Sequence, residues 1–136
     1  MNIAHDPQTA VRNYLNAFNH GDAPGMASCF ASPGFILDGM APHVWDGPSA
    51  PLDWYQDVLS EGEHAGASGY AVSIGEPAHN ATTGDRGYFV APATMTFSVR
   101  GQEVRQVDAT FTVALTRKND SWLIAAWAWS KGRPAQ

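Results

Sequence analysis

A single cysteine, Cys29, leaves this sequence without an internal disulfide and without the thiolates that a structural zinc cluster needs. Basic residues are also scarce: 8 Lys and Arg stand against 13 Asp and Glu, for a formal net charge of -5. They are scattered from Arg12 to Arg133, whereas nucleic-acid readers gather their cations on one face, so no nucleic-acid partner is expected. The longest apolar run covers residues 122–129, far short of the roughly 20 residues of a membrane helix, and no membrane partner is expected. The start of the chain has neither the basic head nor the apolar stretch of a signal peptide. A cytoplasmic location is the expectation, and a lone thiol is compatible with a reducing compartment.

Several chemistries lack their signatures. No glycine-rich phosphate loop follows a strand, no G-x-S-x-G elbow is present, and no Ser/His or Cys/His pairing stands out. The histidines His5, His20, His43, His64 and His79 are dispersed without ligand spacing, so neither a metal nor a cofactor is expected.

What remains is 136 residues with 44% hydrophobic content, enough for one core, and one domain over residues 1–136 is expected. Val11, Tyr14, Leu15 and Phe18 recur at helical spacing, with Asp6-Pro7 as cap and first position and Gly21 as the stop. Asp22 caps a short second helix whose inner side carries Met26, Cys29 and Phe30. Ser32-Pro33-Gly34 breaks the chain before a short strand at 35–38, and an extended stretch follows at 43–45. A third helix is expected over about 49–60, with Leu52, Tyr55 and Leu59 on one stripe and Gly62 ending it.

From there the period changes to two. Strands are expected at 70–74, 88–99, 107–115 and 122–130, joined by short turns. Helices first and an antiparallel meander afterwards is an α+β layout.

Particular segments carry a resemblance. Residues 11–22 end on Asn19-His20-Gly21-Asp22, Trp45-Asp46-Gly47-Pro48-Ser49-Ala50 leads into the third helix, and Asp120-Ser121-Trp122-Leu123-Ile124 opens the last strand. In this order and spacing, over about residues 8–131, the chain resembles the nuclear-transport-factor-2-like superfamily, in its SnoaL-like polyketide cyclase and ketosteroid isomerase-like branch. The resemblance implies an α+β cone, with three N-terminal helices on a curved antiparallel, mixed-edge sheet that encloses a pocket. Fold does not fix chemistry, so function has to be argued from the site.

Asp38 ends three apolar residues and precedes Gly39, the position at which the isomerases carry their catalytic base. A carboxylate at an apolar wall is poorly solvated and therefore readier to take a proton, although Asp38 could equally cap the loop behind it. Tyr14, on the buried stripe of the first helix, matches the tyrosine that donates to the substrate oxyanion in that family; the bland alternative is a core aromatic. The resemblance also implies a strand acid that donates a hydrogen bond, for which Asp108 is the candidate, yet strict alternation turns Asp108 away from the helix-packed face unless a bulge intervenes. His43, Trp45, Trp54 and Tyr88 are candidates for lining the pocket or its mouth, with His43 a possible proton carrier or a plain loop residue.

On the last strand both parities are apolar: Trp122, Ile124, Ala126 and Ala128 on one, Leu123, Ala125, Trp127 and Trp129 on the other. Two tryptophans facing water would be unusual, so a homodimer through the outer face of the sheet, using Trp127 and Trp129, is expected. Two functions fit: a cofactor-free proton-transfer enzyme (isomerase, cyclase or dehydratase) acting on a hydrophobic small molecule, or a non-catalytic small-molecule-binding or dimeric structural module of the same fold.

Overall fold

A computed structural model describes residues 3–135 of the chain; residues 1, 2 and 136 lie outside it. The helices are α1 (Pro7–Asn19), α2 (Ala23–Ser28) and α3 (Ala50–Ala65). The strands are β1 (Phe30–Leu37), β2 (Val44–Gly47), β3 (Ala67–Ile74), β4 (His79–Thr83), β5 (Arg86–Val99), β6 (Gln102–Lys118), β7 (Ser121–Ser130) and β8 (Arg133–Pro134). They form one sheet in the order β2-β1-β7-β6-β5-β3, with β4 paired to β5 and β8 to β6. Among the described residues only the β1–β7 pairing is parallel. Three helices packed on one side of this curved mixed sheet make the expected α+β cone.

Local chemistry explains the helix ends. Asp6 accepts a bond from the Thr9 amide at 2.8 Å and Pro7 occupies the first turn, so α1 starts where the sequence indicates. Asp22 caps α2 through the Gly25 amide at 3.0 Å. The third helix outruns its expected stop at Gly62 and ends at Gly66, whose φ of 69° suits a left-handed cap. Gly62 is a packing glycine instead: a Cβ there would stand 2.8 Å from the Ala67 carbonyl oxygen and 2.9 Å from the Tyr70 hydroxyl. The inner stripe of α3 is Ala50, Trp54, Val58 and Gly62, whereas Leu52 and Leu59 are exposed. The strand expected at 35–38 begins earlier, at Phe30, and β4 and β8 carry no clear sequence signal.

Two bulges change which residues face the helices. Between β6 and β7, Ala114 pairs with Ala126 but Leu115 pairs with Ile124, so Ala125 is an extra residue. Before it, Trp122 and Ile124 point inward; after it, Trp127 and Trp129 do. The two apolar parities of β7 are thus one inward run that changes phase. The expectation that Trp127 and Trp129 form an outer-face interface is overturned: Trp127 is 4% exposed, and both tryptophans line the inner hollow. Between β5 and β6, Ala93 pairs with Ala109 but Met95 pairs with Gln106, so β6 carries one extra residue at 107–108. Asp108 takes it up with a φ of 60°, a left-handed conformation that Asp tolerates better than most residues.

Tyr14, Met26, Ile36, Phe89 and Phe111 are among the largest fully buried side chains, each contributing about 1.5–3 kcal/mol relative to exposure. At the sheet edge, the Asn19 side chain bonds the backbone of Val72 twice: its Nδ2 donates to the Val72 carbonyl at 2.9 Å, and its Oδ1 accepts from the Val72 amide at 2.8 Å.

Candidate functional site

The helices leave part of the concave side of the sheet unfilled. A cavity of about 460 Å³ opens there, walled by α1, α3, the loop after β1, and β3, β5, β6 and β7. Its aromatic wall is built on Trp127, whose ring lies 4.9 Å from Trp54, 5.4 Å from Phe111 and 6.2 Å from Tyr14. The polar groups on the wall include Tyr14, Asp38, Glu61, Tyr70, Gln106 and Lys131.

Asp38 follows the last residue of β1, and its amide donates to the His43 carbonyl at 3.0 Å, which closes the loop to β2. Its side chain is half-buried and turned toward α3, where the Trp54 indole N–H donates to Oδ2 at 2.8 Å. Oδ1 receives only a long bond of 3.4 Å from the Met40 amide, so it keeps accepting capacity on a cavity-lining residue.

Tyr14 is 1% exposed, on the inner stripe of α1. Its hydroxyl accepts from the Trp127 indole N–H at 3.0 Å, and among the described residues that is its one hydrogen bond. A phenol that accepts one bond still has its own proton to give. Burial drives the Tyr14 phenol far above its ordinary pKa; the Trp127 N–H opposes this, while Cys29 and Asp38 nearby add to it. Tyr14 is therefore a neutral donor at ordinary pH. The Cys29 thiol is likewise pushed up, chiefly by burial, which fits a structural role.

Of the other sequence candidates, Trp54 lines the cavity and holds Asp38. His43 does not line it: it is exposed in the loop at a φ of 79°, with Nδ1 3.2 Å from the Asp38 carbonyl oxygen. Trp45 is buried between β2 and α3, with its indole N–H donating to Asp57 at 2.8 Å, away from the cavity. Tyr88 is 51% exposed, its ring tilted against His79 at 5.8 Å. Asp108 lies outside, its side chain 65% exposed and paired with Arg133 at 2.7 Å, because the bulge turns it out of the sheet.

Sequence reasoning missed Gln106, Lys131, Met40 and the inward role of Trp127 and Trp129. Polar residues next to an aspartate in a long strand were the available signal for the bulge; nothing local marks Ala125. No cluster of three or more His, Cys, Asp or Glu suited to a metal occurs among the described residues. No described helix is long and apolar enough to cross a membrane.

Residues 8–134 match the family model described as SnoaL-like domain. No curated protein matches the sequence significantly. Among solved structures, a ketosteroid isomerase-like protein from Erwinia carotovora atroseptica is 20% identical, with 91% of this chain and 92% of that one covered and a TM-score of 0.72. A hexachlorocyclohexane dehydrochlorinase, LinA type 3, from Novosphingobium barchaimii is 11% identical over 94% of this chain and 88% of that one, with a TM-score of 0.76. An NTF2-like protein of unknown function from Pseudomonas putida is 16% identical over 90% and 82%, with a TM-score of 0.64. At these identities the likeness speaks for the fold alone.

Proposed function

The chain belongs to the SnoaL-like domain family, and on that premise we propose that it is a single-domain, cofactor-free proton-transfer enzyme acting on a hydrophobic small molecule. The observation that carries this reading is the pairing of two polar groups on one aromatic cavity, each held by a tryptophan. Trp54 holds the Asp38 carboxylate and Trp127 holds the Tyr14 phenol, the latter with its proton free. Asp38 takes a proton from the carbon beside a carbonyl, and the electron pair moves onto the carbonyl oxygen. Tyr14 donates to the enolate oxygen, and the proton returns to the same or a neighbouring carbon. Isomerisation, ring closure and elimination all begin with that step. The fold shared with an isomerase-like protein and a dehydrochlorinase is consistent with it.

The test is exchange of the α-protons of 2-tetralone in D₂O, followed by proton NMR. The enzyme reading expects catalysed exchange that Asp38→Asn abolishes and Tyr14→Phe reduces by roughly 10²-fold or more, with both variants folded. Exchange that is absent from the wild type across a panel of cyclic ketones would leave the other reading, a small-molecule binder, supported by the hydrogen bonds that already occupy Asp38.

We also propose a homodimer through the outer face of the sheet, with a different residue set from the tryptophans. Leu37 pairs with Val44 and Ala128, Phe35 with Ala126, and Tyr88 with Ala114, and Phe35, Leu37, Val44 and Tyr88 are all exposed. A contiguous apolar patch of this kind is a protein-contact surface.

A further inference from the structure

The third helix carries two apolar stripes, and only one of them is buried. Ala50, Trp54, Val58 and Gly62 pack inward. Tyr55, Leu59 and Glu63, each about one turn after the last, form a second row, on which Leu59 is 50% exposed. That row lines a second hollow, of about 350 Å³, together with residues 67–70 of β3 and with Asn19 and Gly21 at the end of α1. The Asn19 carboxamide is taken up by both backbone groups of Val72, which ties the end of α1 to β3 across the hollow. Gly21 leaves α1 at a φ of 68°, and a Cβ on it would touch the Tyr55 hydroxyl at 3.4 Å.

Three aromatic rings line this hollow. Phe18 and Tyr55 meet edge to face at 6.0 Å, and Tyr70, backed by Phe97 at 5.4 Å, stands on the β3 side. Glu63 is the one charged side chain in the lining, and no ion pair to another described residue occupies its carboxylate. The last carbonyls of α1 add partial negative charge beside Asn19, with no basic residue in the last turn of that helix. The His20 ring reaches back to the Asn16 carbonyl at 2.7 Å, and Arg100 lies against Gly66; neither lines the hollow.

An anion finds no counter-charge in such a lining. A hard metal ion would meet one carboxylate where it needs several oxygens. An organic cation finds aromatic rings, an aliphatic side chain and a carboxylate together.

We propose that this hollow is a binding site for a compact organic cation, a quaternary or alkylated ammonium. Its substituents lie against Phe18, Tyr55 and Leu59, and its charge faces Glu63. The site is separate from the one assigned to proton transfer, and neither reading depends on the other. Phe18 and Tyr70 line both hollows, so the two share a wall.

Choline and 3,3-dimethyl-1-butanol test it, because they have the same shape and differ in charge. Each is titrated into the ¹⁵N-labelled protein and followed by amide shifts. Choline is expected to move the Gly21, Ser68 and Gly69 amides and to bind roughly five- to tenfold more tightly than the alcohol. Glu63→Gln, at an exposed position, should remove most of that preference and leave binding of the alcohol unchanged. Tyr55→Leu should weaken choline, whereas Tyr55→Phe, which keeps the ring, should bind it as the wild type does. Equal binding of the two probes, no saturable choline shifts, or a preference that survives Glu63→Gln overturns the proposal. Shifts centred on Gly39 and Ala41 would put the cation in the cavity beside Asp38 and overturn it equally.

Discussion

Trp54 and Trp127 meet edge to face, 4.9 Å apart at 89°, and each gives its indole N–H to a different polar group of the cavity. The carboxylate of Asp38 and the phenol of Tyr14 are thereby fixed relative to one another through two rings in contact. Turning either indole out of its present rotamer would give up that ring contact and a hydrogen bond.

Tyr14→Phe leaves the Trp127 N–H buried without an acceptor, so it should cost about 1–3 kcal/mol of stability. Trp127→Phe removes ring volume as well. Because the two residues share one bond, the double variant should be less destabilised than the sum of the singles, and a urea-unfolding double-mutant cycle checks this. Strict additivity would mean that the bond contributes nothing.

Alkali should reveal Tyr14 through stability. Its folded pKa is raised above the unfolded value of about 10, so below that pH both states keep the proton and the group has no pH slope. Above about pH 10 the unfolded state binds fewer protons than the folded state, and stability falls as pH rises toward the folded pKa. Tyr14→Phe should show a shallower loss between pH 9 and pH 11 in thermal melts. Parallel curves for the two proteins would contradict the burial argument.

Assembly should respond to Leu37 and Phe35 and not to the tryptophans. Leu37→Asp with Phe35→Ser places polar groups on exposed positions of the outer face and should yield monomers by light scattering that keep the circular dichroism of the folded chain. Trp129→Phe should leave the mass of the assembly as it is. A dimer indifferent to the first pair would refute the sheet-face contact.

Gly62→Ala sets two effects against each other. Alanine favours helix by about 1 kcal/mol, yet its Cβ would sit 2.8 Å from the backbone oxygen of Ala67, which cannot rotate aside. Net destabilisation of about 1–3 kcal/mol is expected in urea unfolding. A more stable variant would show that β3 can shift freely against α3.

Much of this layout is legible from local pattern. The Asp6 and Asp22 caps, the stripe of α1, and the change from helical period to alternation each depend on neighbours in sequence, and the structure has them in place. The resemblance to the SnoaL-like branch supplied the placement of Asp38 and Tyr14 on one hollow. What escaped was phase. An extra residue in a strand moves every later side chain to the opposite face, and at Ala125 that residue is a small apolar one like its neighbours. Read with unbroken alternation, Trp127 and Trp129 look like an interface. With the bulge they are the cavity wall. The same blindness hid Gln106, while β8 is held by pairing with residues far away in sequence.

The clasp of Asn19 on Val72 bears on how copies of this protein can meet. A carboxamide that fills both hydrogen-bonding valences of one residue acts as a one-rung counterfeit strand, so an incoming chain cannot zip along that margin of the sheet. A strand approaching that rung would first have to displace the Asn19 carboxamide from both backbone groups of Val72.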